Sequence, residues 1–195
     1  MIKELELNNE DEFIKIFDEL YNDIHGEYDF GYNKMEKVNV QRDAKPTCSI
    51  FSCCSDDRDY VYANYASLEK AVYELLYVNH IQLSKKIYMN IEFITAKSRD
   101  EIIVENDFTI HQDIDSKIDG KSYTIIIYLH TNCQGGELIF YENTSFSFEK
   151  TLTVEINASL SSNTKVVIFD GEIFHKPEPF YNGQRCAIVC QVSKS

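Results

Sequence analysis

Beyond residue 86 the chain is a succession of short runs rich in Ile, Val, Thr, Tyr and Phe, separated by Gly, Asn, Asp and Ser. The runs fall at 87–95, 101–105, 108–112, 123–130, 137–141, 152–156, 165–169 and 185–192. β-Branched and aromatic residues suit a pleated, half-buried backbone, and the separators are the residues that turn it. Strands at this spacing predict an antiparallel sandwich or barrel rather than parallel α/β units.

The run from Ser122 to Leu129 anchors that reading. A period of two puts Thr124, Ile126 and Tyr128 on one face and Ile125, Ile127 and Leu129 on the other. Both faces are largely apolar, so this strand is central and buried on both sides. Gly135-Gly136 reads as a tight turn into the next strand.

The first 86 residues add helical support. Phe13, Ile16, Phe17, Leu20 and Ile24 recur at three- and four-residue intervals and predict a helix over 9–24. Leu68, Ala71, Val72, Leu75 and Leu76 predict a second over 67–80, with Ser67 as its N-cap. Residues 35–42 and 47–53 read as strands joined by a turn at 43–46. The expected fold is mostly β: a jelly-roll core over 87–195, with supporting helices and strands over 1–86, as one domain.

Composition narrows the function classes. The formal net charge is −13, from 32 acidic and 19 basic residues, so a phosphate backbone is a poor partner. No apolar run is long enough to span a membrane, and the N-terminus is acidic without an apolar signal core. A cytoplasmic or nuclear setting is expected. The cysteines at 48, 53, 54, 133, 186 and 190 match no zinc spacing and read as packed, reduced thiols.

Three segments carry chemistry. In Phe108-Thr-Ile-His-Gln-Asp113, His111 and Asp113 fall two residues apart on a strand and so share a face. One imidazole nitrogen and one carboxylate oxygen there can bind the same ion. His175 supplies a third ligand, and Arg185 follows ten positions later, past a turn with two prolines and Asn182-Gly183. If that turn reverses the chain, Arg185 returns beside the strand that precedes His175. A fixed guanidinium is suited to gripping a carboxylate in a partly dry pocket. The third segment is the central strand, whose buried Tyr128 hydroxyl needs a partner that a bound carboxylate supplies. Two His and one Asp leave three coordination positions open on one side of an octahedral ion, the arrangement of non-haem Fe(II) oxygenases. Such ligands bind metal only when deprotonated, so binding weakens in acid.

The ordered set of His111-Gln-Asp113, Thr124-Ile-Ile-Ile-Tyr-Leu-His130, Gly135-Gly-Glu-Leu138 and His175 with Arg185 resembles the Fe(II)/2-oxoglutarate-dependent dioxygenases, in their prolyl 4-hydroxylase-like branch. The resemblance covers residues 108–192. It implies a double-stranded β-helix, with Fe(II) on His111, Asp113 and His175 and no catalytic side chain beyond these ligands. It implies that Arg185 and Tyr128 hold the distal carboxylate of 2-oxoglutarate, with Thr124 and Leu138 lining the pocket. The implied reaction couples decarboxylation of 2-oxoglutarate to hydroxylation of a C–H by O₂, often with ascorbate as reductant. The implied substrate is a prolyl or other side chain in a protein or peptide. A small molecule, a nucleobase or a non-catalytic binding module are the alternatives.

Where the family often carries a tryptophan, this chain has Gln191, which alternation places on the Arg185, Ala187 and Val189 face. It is expected to point into the pocket and bond the cosubstrate or the substrate. Residues 29–39 and 97–107 are the segments expected to border the site. His25 and His80 are expected at helix C-termini, and His130 at a strand end.

Overall fold

The computed structural model describes residues 1–5, 7, 10–25, 36–40, 48–54, 62–81, 89–98, 109–114, 122–156 and 164–193. In chain order the elements are β1 (Ile2–Leu5), α1 (Glu10–His25), β2 (Glu36–Val40), β3 (Cys48–Cys54), α2 (Tyr62–Val78) and β4 (Met89–Ser98). There follow β5 (Ser122–Gly135), β6 (Leu138–Asn143), β7 (Phe148–Val154), β8 (Thr164–Asp170), β9 (Phe174–Pro177) and β10 (Phe180–Ser193).

The strands form two antiparallel sheets. Seven of them run in the order β1-β8-β5-β10-β4-β3-β2, and three in the order β7-β6-β9. Period-two alternation gives the large sheet two apolar faces, and each face has its own core. Ile125, Ile127 and Leu129 of β5 join Val166 and Ile168 of β8 and Ile188 of β10. Helices α1 and α2 cover this face through Phe13, Ile16, Ala71, Val72, Leu75 and Leu76. On the opposite face, Ile126, Tyr128, Val167, Phe169 and Ala187 meet Leu138, Phe140 and Val154 of the small sheet. The result is three layers: helices, a large sheet and a small sheet, with the jelly-roll sandwich formed by the latter two. Each fully buried Phe or Leu in these cores contributes on the order of 1.5–3 kcal/mol.

Local chemistry sets the element ends. Glu10, Asp11 and Glu12 occupy the first turn of α1, where negative charge offsets the helix dipole. Helix α2 ends with His80 in the left-handed conformation at φ 57°, and the Ile81 N–H donates to the Leu76 carbonyl at 2.9 Å. Gly135 and Gly136 both have positive φ, 75° and 82°, which L side chains rarely adopt. A Cβ on Gly135 would also lie 2.8 Å from the Pro179 carbonyl oxygen. These two residues make the expected turn from β5 into β6.

Several expectations are corrected. Helix α2 begins at Tyr62, so Ser67 lies inside it and is not its N-cap. Ala63 and Ala66 favour an earlier start, and an interior serine costs only a few tenths of a kcal/mol. The stretch 109–114 is not a strand, and only His111 makes a bridge, to His175. Asn182 and Gly183 do not turn the chain. They sit within β10 at a register shift against β5 between Tyr181 and Gln184, where a bulge absorbs them. Arg185 therefore does not lie beside β8, because β5 separates β10 from it.

Strands β1 and β9 are not apparent in the sequence reading. β1 pairs with β8 along the edge of the large sheet, and β9 pairs with β6. Strands β2 and β3, expected as outer support, extend the large sheet through β4.

The expected strand at 101–105, the turn at 43–46, and the bordering segments 29–39 and 97–107 lie outside the described residues, apart from 36–39 in β2 and 97–98 in β4. Among the described residues, no helix is long and apolar enough to cross a membrane.

Candidate metal centre

The small sheet carries His175 on β9, directly opposite Phe140 of β6. Alternation turns His175 into the sandwich, where it is buried. Its ring lies 4.7 Å from that of Phe169 on the large sheet, nearly edge-on, and 6.3 Å from that of Phe140. Beyond β9, the segment carrying His111 adds one rung to the sheet. The His111 N–H donates to the His175 carbonyl at 3.0 Å and the His175 N–H returns the bond at 2.9 Å.

That rung brings the two imidazoles together, with ring centroids 4.4 Å apart. Asp113, two residues on, closes the set. Its Oδ1 lies 3.6 Å from His111 Nε2, and its Oδ2 lies 3.3 Å from His175 Nε2. One ligand atom from each of the three residues falls within 4.8 Å of the others.

The tautomers are set by the backbone. His111 Nδ1 lies 2.8 Å from the Thr109 carbonyl, and His175 Nδ1 lies 3.0 Å from the Ile173 carbonyl. A carbonyl only accepts, so each Nδ1 must donate, which leaves each Nε2 to face Asp113 and, once it carries no proton, to ligate a cation there. Burial by itself would raise the Asp113 carboxyl, but the His175 bond and charge, with smaller help from Thr124 and His111, bring it below the ordinary carboxylate value. Two imidazole nitrogens and one carboxylate form a donor set that fits a divalent cation of the Fe(II) type.

The backbone of Asp113 is clamped from behind. Its N–H donates to the Gly171 carbonyl at 2.9 Å, and the Gly171 N–H donates to the Ser122 carbonyl at 2.9 Å. Gln112 Nε2 donates to the Glu172 carbonyl in the same seam. A Cβ on Gly171 would lie 2.5 Å from Ser122 Oγ and 2.6 Å from the Asp113 carbonyl oxygen. Gly171→Ala is therefore expected to push the Asp113 segment outward. Metal affinity should fall about tenfold or more, in the range of supporting-shell changes, while the sheets persist. Metal retained after dialysis, read beside circular dichroism, checks this. In the sequence, Gly171 is marked only by its position in the Asp170-Gly171 turn before His175.

A cavity of about 70 Å³ opens from the three ligands, with room for roughly five water-sized groups. Its other lining residues are Ile126, Tyr128, Leu138, Pro177, Arg185, Ala187 and Val189. Arg185 is buried; its guanidinium donates to the Glu178 carbonyl at 3.3 Å and lies 5.0 Å over the Phe180 ring. Burial pushes the Tyr128 hydroxyl up to about 12 despite the neighbouring Arg185 charge, so the phenol stays protonated and able to donate. Cys133 is a buried thiol in no disulfide; it donates to the Gly135 carbonyl at 3.7 Å, and burial pushes it up to about 11, which fits a packing role.

The strand register separates Tyr128 and Arg185 from Thr124 and Gln191. Tyr128 lies opposite Ala187, and Thr124 lies opposite Gln191, four positions along β5. That spacing is roughly 13 Å along the strand. Arg185, Tyr128 and Leu138 line the cavity, and Thr124 and Gln191 are not among its lining residues. Thr124 is buried beside Asp113, and Gln191 is half-buried one strand over. His80 lies exposed at the end of α2; the side chains of His25 and His130 lie outside the described residues.

No family model and no curated protein matches this sequence. Solved structures do match. A prolyl-4-hydroxylase from Pseudomonas putida aligns with a TM-score of 0.50 at 12% identity, over 100% of this chain and 92% of its own. IDO from Bacillus thuringiensis aligns with a TM-score of 0.57 at 11% identity, over 100% and 90%. A bsmA homolog from Methylobium petroleophilum aligns with a TM-score of 0.54 at 10% identity, over 95% and 82%. At this identity the likeness speaks to architecture: the chain is a double-stranded β-helix, built as these proteins are built.

Proposed function

We propose that this chain is an Fe(II)- and 2-oxoglutarate-dependent dioxygenase that hydroxylates a C–H bond. The observation that carries the reading is the sharing of one cavity by a three-ligand donor set and a buried arginine. His111, Asp113 and His175 would hold the iron. Arg185, with the protonated phenol of Tyr128 beside it, would grip the far carboxylate of the keto acid. Ile126, Leu138, Ala187 and Val189 would cover its methylenes and keep water away from the site. When bound, the iron supplies the redox centre for dioxygen reduction and keto-acid decarboxylation, with ascorbate keeping it ferrous. The backbone carbonyls of Thr109 and Ile173 hold both imidazoles in the tautomer that ligation needs.

For the hydroxyl acceptor we propose a prolyl or other side chain in a protein or peptide. The prolyl-4-hydroxylase among the structural neighbours supports that choice. The net charge of −13 favours a protein over a nucleic acid.

Anaerobic visible absorbance tests the reading. Adding Fe(II) and then 2-oxoglutarate to metal-free protein is expected to produce a weak charge-transfer band that requires both. A folded protein that takes up no iron and shows no band would be a binding module.

A further inference from the structure

One buried polar atom is left over by this account. Thr124 on β5 has no exposed surface, and its Oγ1 completes no hydrogen bond of full geometry, although it lies close enough to the Asp113 carboxylate to help lower its pKa. A stranded hydroxyl is costly, and native proteins keep few of them.

Its surroundings point to a reason. Thr124 lies opposite Phe169 across the β5–β8 ladder, and the Phe169 ring packs against His175 at 4.7 Å. Two residues earlier, the Ser122 carbonyl accepts from Gly171, whose own carbonyl accepts from Asp113. Thr124 therefore sits at the level of the three ligands, four positions from Tyr128. Both Asp113 oxygens are turned toward imidazoles, at 3.6 and 3.3 Å. A cation held by one oxygen of Asp113 leaves the other in need of a donor. Thr124 is a buried hydroxyl beside that carboxylate with a proton to give.

We infer that Thr124 is a positioning residue of the metal centre, donating to the Asp113 carboxylate and fixing the orientation in which it meets a cation. The inference rests on the metal-centre reading above. It also moves Thr124 from the cosubstrate wall, where the family resemblance puts it, to the metal side.

The two roles predict different losses. Metal-free wild type, Thr124→Val and Thr124→Ser are titrated with Mn(II), a redox-stable stand-in, while the electron paramagnetic resonance signal of the free ion is followed. Thr124→Val keeps the shape without the hydroxyl and should bind Mn(II) about 10–100-fold more weakly. Thr124→Ser restores the hydroxyl and should return close to wild type. Binding of 2-oxoglutarate to Mn(II)-saturated protein should stay unchanged in both. If the Val variant is unstable, Thr124→Ala removes the hydroxyl without adding bulk and carries the same expectation. Wild-type Mn(II) affinity in the hydroxyl-free variant overturns the inference, as does a loss confined to 2-oxoglutarate. Should wild type itself take up no Mn(II), the metal-centre reading falls first and the Thr124 role with it.

Discussion

Asp113→Ala is expected to yield a folded protein that no longer retains a divalent cation. Asp113 contributes to neither apolar core, so its removal leaves the sandwich and the helix layer intact. It supplies the only negative charge in the donor set, and two neutral imidazoles do not hold a hard, labile cation well by themselves. The loss in affinity should exceed the roughly 100-fold upper range typical of supporting-shell changes. His175→Ala should lose the metal as completely, but at a cost in stability. Its ring packs against the contacting Phe140 and Phe169 pair, and the cavity left by its removal costs about 2–4 kcal/mol. Metal analysis after dialysis, with circular dichroism on the same samples, separates the two effects. Full iron retention in a folded Asp113→Ala protein would sink the assignment.

Arg185→Ala is expected to leave the metal in place and to raise the 2-oxoglutarate requirement about 100-fold. The guanidinium is buried and oriented by the Glu178 carbonyl and the Phe180 ring. Truncating one partner of such a desolvated charge pair costs about 3 kcal/mol, which corresponds to the same factor. Arg185→Lys should recover only part of the affinity, because a single ammonium cannot reproduce the planar, two-pronged contact with a carboxylate. Titration of 2-oxoglutarate into metal-loaded protein measures both variants. Unchanged affinity in Arg185→Ala would remove this residue from the proposed role.

The chemistry-bearing residues were legible because their spacing is local or their type is rare in a core. His111 and Asp113 stand two apart, and a pair at that interval can share a face in any extended segment. The structure keeps the pair together even though 109–114 is irregular apart from one bridge. Tyr128 could be placed on the site face from alternation alone, because β5 is regular between Ser122 and Leu129 and pairs without interruption with β8.

The misreadings have physical causes of their own. Asn182-Gly183 has the chemistry of a turn, yet long-range pairing of β10 with β5 absorbs it as a bulge. Strand β9 is four residues long and ends in a proline, too short to show a period. Strand β1 exists because β8 offers it an edge, and nothing in Ile2–Leu5 alone would reveal that.

From the sequence alone came the class of fold, the buried central strand and the three candidate ligands, because alternation and residue chemistry are properties of short stretches of chain. Tertiary structure alone decided the rest. It zipped His111 onto His175, seated Gly171 behind Asp113, and left Thr124 buried near the Asp113 carboxylate, off the cavity lining. Those outcomes depend on the register between segments far apart in the chain, and a shift of one residue along β5 or β9 would turn Thr124 or His175 to the opposite face.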